Sequence, residues 1–483
     1  MGHYERLSGL DEAFLDFETP SAYMHVAVTA LFEAAPLRGA DGGLDADRVR
    51  RHLESRLDRL PRFRQRLAYV PLLADALWVD DQHFDINAHV RHTSLPRPGN
   101  DEQLRQRSAE ILERPLDRRR PLWEAWIIEG LADDRFALLV KVHHCMVDGI
   151  AGIGMLACLL STEAETHETA ACAWVPRPHP TERELLRDEF TRRLRGMADA
   201  GTGVVRSLGQ PTETSRELRS TAAAIWRLAR SGSNAAPPTP FNRPIGPHRD
   251  VAWLTLDLER VKQVKRRLGG TVNDLVLAVV AGGLSRLLSR SGDMPAEGWV
   301  RIAVPVSTRT PNEAGDPGNR VSIWMVPVPV AGASGRRRHR VIQRRTAELK
   351  AQRQAVAAEV LTRAADWTGA ALRGLAVRLV SDARIYNLIV TNVPGPPMPL
   401  YLLGGRMLAA YPHLPLFENQ GLGMALLSYQ STLHVGLTAD WERRDLLHQL
   451  TSDLMAAFGE LSAAAGIGLP SGLGRRRFAG AAA

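Results

Sequence analysis

The run His143-His144-Cys145-Met146-Val147-Asp148-Gly149 constrains this chain more than any other stretch, because it joins a short apolar segment to a longer, helix-like one. Upstream, Phe136 to Val142 is apolar except for Lys141, which is the pattern of a buried strand. Downstream, Ile150 to Leu160 is apolar enough for a core helix. The two histidines therefore sit where a strand ends. Neighbouring side chains on an extended segment face opposite ways, so His143 and His144 do not share a cavity if the strand runs through both. One is expected to meet substrate and the other to pack. Asp148 suits a helix N-cap and Gly149 the turn before it, which leaves a structural and a direct role both open for Asp148.

With 483 residues, 45% of them hydrophobic, the chain is too long for one ordinary domain and is expected to form two in an α/β architecture. Its 61 Lys and Arg against 53 Asp and Glu give a net charge of +8, which suits anionic partners such as a phosphate-bearing substrate or an acidic lipid surface. Nucleic acid fits less well, because no zinc-finger spacing or aromatic RNA-binding signature accompanies the basic residues. The three cysteines, Cys145, Cys158 and Cys172, make neither a disulfide framework nor a CxxC site, so a reducing, cytoplasmic setting is expected. The opening Met1-Gly2-His3-Tyr4-Glu5-Arg6 does not resemble a secretory signal. The apolar stretch Leu275–Leu288 is interrupted by Gly282, Gly283, Ser285 and Arg286 and falls short of the ~20 residues a spanning helix needs, so any membrane contact is expected to be peripheral.

Residues 1–165 alternate strand-like segments, such as Ala27–Glu33, with helix-like ones, such as the amphipathic Asp45–Leu57. Residues 166–245 turn to Thr, Glu, Pro, Arg and Ser and are expected to form a connector. Within it Leu185, Leu186, Phe190, Leu194 and Met197 recur at helical spacing among arginines, a helix that either packs on the body or lies on an anionic membrane. Residues 246–470 form the second half: a strand at Val251–Leu256, a helix stopped by Gly269-Gly270, and a capping box beginning at Thr271. Strands follow at 300–306, 321–328, 388–393, 424–429 and 433–437, then an amphipathic helix through Leu446, Leu450, Leu454, Phe458 and Leu461. Residues 471–483 read as a frayed tail. The run Arg336-Arg337-Arg338-His339-Arg340 is either a solvated face or a magnet for phosphates.

The His143–Gly149 run matches the HHxxxDG signature of the CoA-dependent acyltransferase superfamily, which includes chloramphenicol acetyltransferase and the condensation domains of peptide synthetases. Further landmarks narrow the resemblance to the bacterial wax ester synthase/diacylglycerol acyltransferase family. These are Leu7-Ser8-Gly9-Leu10-Asp11, Pro115-Leu116-Asp117, Pro121-Leu122-Trp123-Glu124, Asn273-Asp274-Leu275-Val276-Leu277-Ala278 and Asn392-Val393-Pro394-Gly395-Pro396, so nearly the whole chain is covered. The resemblance implies two similar chloramphenicol-acetyltransferase-like domains, each a mixed sheet with flanking helices, with a cleft or tunnel between them. It also implies acyl-CoA as co-substrate without a bound cofactor, and diacylglycerol or a long-chain alcohol as acceptor. Work at the inner face of the membrane or on lipid droplets goes with that. Met424 stands where family members often carry Asn, which raises the expectation of a changed acceptor side.

Acyl transfer from a thioester to a hydroxyl needs a base for the alcohol proton and an acid for the leaving thiolate, and one imidazole can serve as both. The family match gives that role to His144, with His143 in support. Asn273 is a candidate oxyanion donor or a site-shaping residue at a helix start. Asp148 is expected to brace the histidine loop, with Arg309 as a possible partner, and Gly149 to make the turn. Cys145 raises a Cys-His nucleophile as a rival, weakened because an extended segment points it away from His144. A metal at His143, His144 and Asp148 lacks a third convergent ligand, so none is expected. Two other readings remain open: a condensation-type enzyme using carrier-protein thioesters, and a lipid-binding relative without turnover.

Overall fold

Each half of the sequence builds around a six-stranded mixed sheet in a computed structural model that describes residues 4–71, 75–147, 154–155, 158–166, 174–192, 235–307, 321–351 and 384–468. In the first half, β1 (Glu5–Arg6), β3 (Gln65–Tyr69) and β4 (Ala76–Asp80) make a small antiparallel sheet that the alternation pattern did not foretell. The larger strands are β2 (His25–Glu33), β5 (Val90–Ser94), β6 (Trp123–Leu131) and β7 (Arg135–His143). Helices α1 (Gly9–Asp16), α2 (Ala46–Arg56) and α3 (Asp101–Leu112) flank them. Asp45 and Asn100 cap α2 and α3 through side-chain oxygens, which is why those helices begin where they do.

The second half contributes β8 (Arg249–Asp257), β9 (Trp299–Ser307), β10 (Val321–Pro329), β11 (Leu388–Val393), β12 (Tyr401–Leu402), β13 (Gly405–His413), β14 (Leu422–Tyr429) and β15 (Thr432–Asp440). Its helices are α4 (Leu258–Leu268), α5 (Val272–Ser291), α6 (Gly335–Ala351) and α7 (Arg444–Ala464). The C-terminal sheet runs β10-β9-β11-β14-β15-β8, and α5 lies on it, with its apolar residues buried on nearly every side. A helix of that length and composition could cross a bilayer, but 72% of its apolar window is covered by protein. Two of the residues that interrupt it are packing contacts: a Cβ on Gly282 would sit 2.7 Å from Ala457, and one on Gly283 2.9 Å from Leu454, both on α7.

The division at residue 246 needs two corrections. The N-terminal sheet runs β12-β13-β2-β7-β6-β5, so residues 401–413 of the second half complete the sheet of the first. No strand was expected at β13, which pairs with β2, and its approach to β15 depends on a glycine, since a Cβ on Gly436 of β15 would lie 1.8 Å from the Pro412 carbonyl oxygen. The end of the expected connector also belongs to the second domain, for Phe241 is buried in its core and Asn242 accepts from Asn387 at 2.7 Å. Earlier in the connector, residues 182–192 are helical and pack on the small sheet. Leu185 is buried there, and the buried Glu189 pairs with Arg6 at 2.8 Å. Cys172, Leu194, Met197, the tail 471–483 and most of the helix expected at 150–160 lie outside the described residues.

Candidate active site

Strand β7 ends at His143, and the next residue leaves the ladder. The His143 N–H donates to the Leu122 carbonyl at 2.9 Å and pairs the strand end with β6, whereas the His144 N–H donates to the Met24 carbonyl at 2.7 Å. A turn closed from Met146 N–H to the His143 carbonyl then redirects the chain. The two imidazoles part company at this point.

His143 is 1% exposed and its Nε2 lies 3.2 Å from Glu18 Oε1. Its Nδ1 accepts the backbone N–H of Cys145 at 3.2 Å, which places the ring proton on Nε2, toward the carboxylate. Glu18 also accepts the Met24 N–H at 3.0 Å and two N–H groups of Arg118 at 3.1 and 2.7 Å. Burial pushes the Glu18 carboxyl up, but His143 and Arg118 outweigh it and hold the group at about 2, so it stays anionic. His143 is thereby clamped. Cys145 packs in the same small core with its Sγ 2.9 Å from His143 Nδ1, and burial, reinforced by Asp11 and Glu18, pushes its thiol well above the ordinary range. A protonated thiol facing away from His144 is a poor nucleophile.

The neighbouring strands are braced in turn. Lys141, with no exposure, donates to the carbonyls of Ile111 and Arg114 at 3.0 Å, and His25 donates to Leu112 at 2.7 Å, so both cap the C-terminus of α3. Lys141 also lies 3.3 Å from Glu124, and Trp123 donates to the Phe63 carbonyl at 2.8 Å. The landmark Pro121-Leu122-Trp123-Glu124 is thus the scaffold beside the histidine turn.

His144 faces the other way. Its ring stacks on Phe14 of α1 with centroids 3.9 Å apart and planes at 19°, and it lines an apolar cavity between the two sheets. Val26, Val28, Val140 and Val142 form the N-terminal wall. Ala303, Pro305, Ile389, Thr391, Val393, Ala425 and Leu427 form the C-terminal one, each set following strand alternation. Polar side chains in the lining are few: His144, Tyr386, Thr391 and His413. Of these, the His413 Nε2 is engaged with the Thr29 hydroxyl at 3.0 Å, on the side of β2 that faces α3. The lining is almost wholly apolar, which suits long apolar substrates.

Other expected site residues fall elsewhere. Asn273, in the first turn of α5, accepts from Asn392 of β11 at 2.7 Å, on the helix side of that strand, and is absent from the cavity lining. Asp274 completes the capping box with Thr271 and accepts the Thr346 hydroxyl at 2.6 Å, a structural role. Met424 is 1% exposed and packs into the C-terminal core, so the expectation of a changed acceptor wall is corrected: its neighbours Ala425 and Leu427 face the cavity instead. The arginine run is not one solvated face, because Arg338 is buried and donates to the carbonyls of Pro329 and Ala333 at 3.2 and 2.9 Å. Asp148, Gly149 and Arg309 lie outside the described residues. Glu18 and Arg118 were missed. They are 100 residues apart, and no local pattern ties either to His143.

Residues 7–276 match the model of the wax ester synthase/diacylglycerol acyltransferase catalytic domain, and residues 317–462 match that of the WS/DGAT C-terminal domain. Two Mycobacterium tuberculosis proteins are named diacylglycerol O-acyltransferases, one provisionally and one as probable. They are 35% and 33% identical to the chain, covering 90% of it in each case and 86% and 91% of their own lengths. Among solved structures, a wax ester synthase/diacylglycerol acyltransferase from Marinobacter aquaeolei VT8 superposes with a TM-score of 0.66 at 26% identity, covering 96% of this chain and all of that one. The first condensation domain of the calcium-dependent antibiotic synthetase, at 16% identity, 96% coverage of each chain and a TM-score of 0.58, shares the fold.

Proposed function

The chain belongs to the wax ester synthase/diacylglycerol acyltransferase family, and we propose that it esterifies diacylglycerol or a long-chain alcohol with the acyl group of acyl-CoA, with His144 as the shuttling base and acid. The observation that carries the assignment to His144 is the split between the paired histidines: one is clamped by Glu18, and the other is stacked against Phe14 on the wall of an apolar cavity. In the reaction the acceptor oxygen attacks the thioester carbonyl carbon as His144 takes its proton. The tetrahedral adduct then expels the thiolate, and the imidazolium returns that proton to sulfur, giving an ester and free CoA. No acyl-enzyme is needed, and the buried thiol of Cys145 supports direct attack. Glu18, Arg118 and His143 hold the turn, while Asn273 and Asn392 shape the end of β11. The largely apolar walls favour chains over polar acceptors and keep water from competing for the thioester. We place the enzyme on the cytoplasmic side, at a membrane or lipid-droplet surface, since its acceptors partition there; the free Cys145 and Cys158 agree with a reducing compartment.

The test is incubation with palmitoyl-CoA and a panel of alcohols and diacylglycerols, following free CoA and ester together. Wild type should release both in equal amounts, and His144→Ala should lose a factor of ~10²–10⁴ in turnover. Thiol release without ester would reduce the activity to hydrolysis, and a carrier-protein thioester outcompeting acyl-CoA would move the donor to the condensation type.

A further inference from the structure

We propose that the outer face of α6, together with the last turn of α4, is the surface by which this protein docks on an anionic lipid bilayer. The inference rests on the lipid-substrate reading above and adds where the bilayer is met. Arg336, Arg337, Arg340 and Arg344 are all exposed, and their spacing puts them on one side of a helix. Arg338 and His339 of the same run turn inward, so the exposed arginines are a sorted set and not the whole basic stretch. The end of α4 adjoins this helix, for a Cβ on either Gly269 or Gly270 would lie 3.4 Å from the side chain of Gln343, which is one turn from Arg340 and next to Arg344. That adds the exposed Arg266 and Arg267. Among the described residues no carboxylate lies within ion-pairing distance of any of these six arginines, whereas arginines elsewhere on the surface are commonly paired, as Arg38 is with Asp134 and Arg406 with Glu33. The nearby acids do little to neutralise the face: Glu259 pairs with Lys262, Asp274 is buried in its capping box, and Glu348 alone is exposed on α6.

Behind this face, the inner side of α6 is tied to the elements that reach the cavity. Thr346 of α6 donates to Asp274 of α5 at 2.6 Å, the adjacent Asn273 accepts from Asn392 of β11, and Val393 at the end of that strand lines the cavity. A bilayer held against α6 therefore meets the end of the C-terminal domain at which β11 reaches the cavity. Four guanidinium groups spread along a helix of about 25 Å and two more on the neighbouring helix end, none paired among the described residues, match a plane of phosphates better than a single phosphate group. Acyl-CoA carries the same chemistry, so the experiment separates the two.

The full-length protein is sedimented with phosphatidylcholine vesicles with and without phosphatidylglycerol, at low and high salt and without substrates. It is compared with the quadruple variant Arg336→Glu, Arg337→Glu, Arg340→Glu, Arg344→Glu. Wild type should pellet only with the anionic vesicles and release at high salt. The variant should lose about a hundredfold in partitioning, while its turnover and its KM for acyl-CoA in non-ionic micelles stay within about twofold. Equal partitioning of the two proteins, or binding of wild type to phosphatidylcholine alone, overturns the proposal. So does a raised KM for acyl-CoA with vesicle binding intact, which would give the face to the CoA phosphates. If the quadruple variant does not fold, Arg340→Gln with Arg344→Gln should still weaken vesicle binding about tenfold, and no change there counts against it equally. A wild type that pellets yet makes no ester from any acceptor would sink the enzymatic reading and leave the docking surface standing.

Discussion

The two six-stranded sheets share an architecture and divide the work. The N-terminal sheet ends in a dense polar knot, where Glu18, Arg118, His143, Lys141 and Glu124 fix one strand end to its surroundings and push a single imidazole into the cavity. The C-terminal sheet offers the same cavity mainly small and apolar side chains, with Thr391 the polar member among its strand residues. Precise placement of a reacting group needs many directional bonds, whereas an acyl chain needs only shape and dryness. A duplicated fold can thus specialise one copy for chemistry and the other for containment.

The largest expected effect is on the histidine pair. His144→Ala should cut turnover by ~10²–10⁴ and leave the urea midpoint near that of wild type. His143→Ala should destabilise the protein by about 2 kcal/mol, because the partly buried Glu18 would lose one of the two cationic or donor side chains that hold it, leaving Arg118. A stable but inactive His143 variant beside an active His144 variant would reverse the roles. Next comes the junction of the sheets: Gly436→Ala forces a Cβ against the Pro412 carbonyl, and denaturant unfolding should show a loss of about 3 kcal/mol. Met424→Asn restores the residue frequent in the family but places an amide in an apolar core, for about 2 kcal/mol of destabilisation without a change in acceptor preference. A shifted alcohol-to-diacylglycerol ratio in that variant would mean that the β14 side chains face opposite to the arrangement described.

Acid should act mainly through histidines that the fold keeps neutral. Burial, aided by Lys141, lowers His25 to about 3, and burial lowers His434 to about 4. The unfolded chain binds these protons first, so stability is intact above the ordinary histidine value of 6.5. It then falls by up to about 1.4 kcal/mol per pH unit for each histidine as the pH drops toward 4. Glu18 acts in the same direction over a lower window: its contribution is complete above its ordinary 4.5 and is lost progressively as the pH falls toward 2. Urea titrations of wild type and His434→Phe across that window should show a shallower acid slope in the variant.

The end of β7 at the histidines, the capped start of α5, the strands of the C-terminal sheet and β2 and β7 of the N-terminal one were legible in the sequence, because apolar period and capping residues are local signals. The separation of His143 from His144 followed from the same local geometry. Other features were out of reach of such signals. Period two says that Met424 and Ala425 face opposite sides of β14, but not which side is helix-packed core and which is cavity. Strand β13 was not legible there at all, and its pairing with β2, a strand nearly four hundred positions away, is a choice made by tertiary packing.

The amino-acid order by itself determined the kind of chemistry, through two adjacent imidazoles at a strand end and the landmarks around them. The folded chain decided which imidazole faces the cavity, because the carboxylate and guanidinium that immobilise His143 come from positions 18 and 118. Periodic burial is written in neighbouring residues, but a partner a hundred positions away is chosen by the packing of whole elements, which local patterns do not encode.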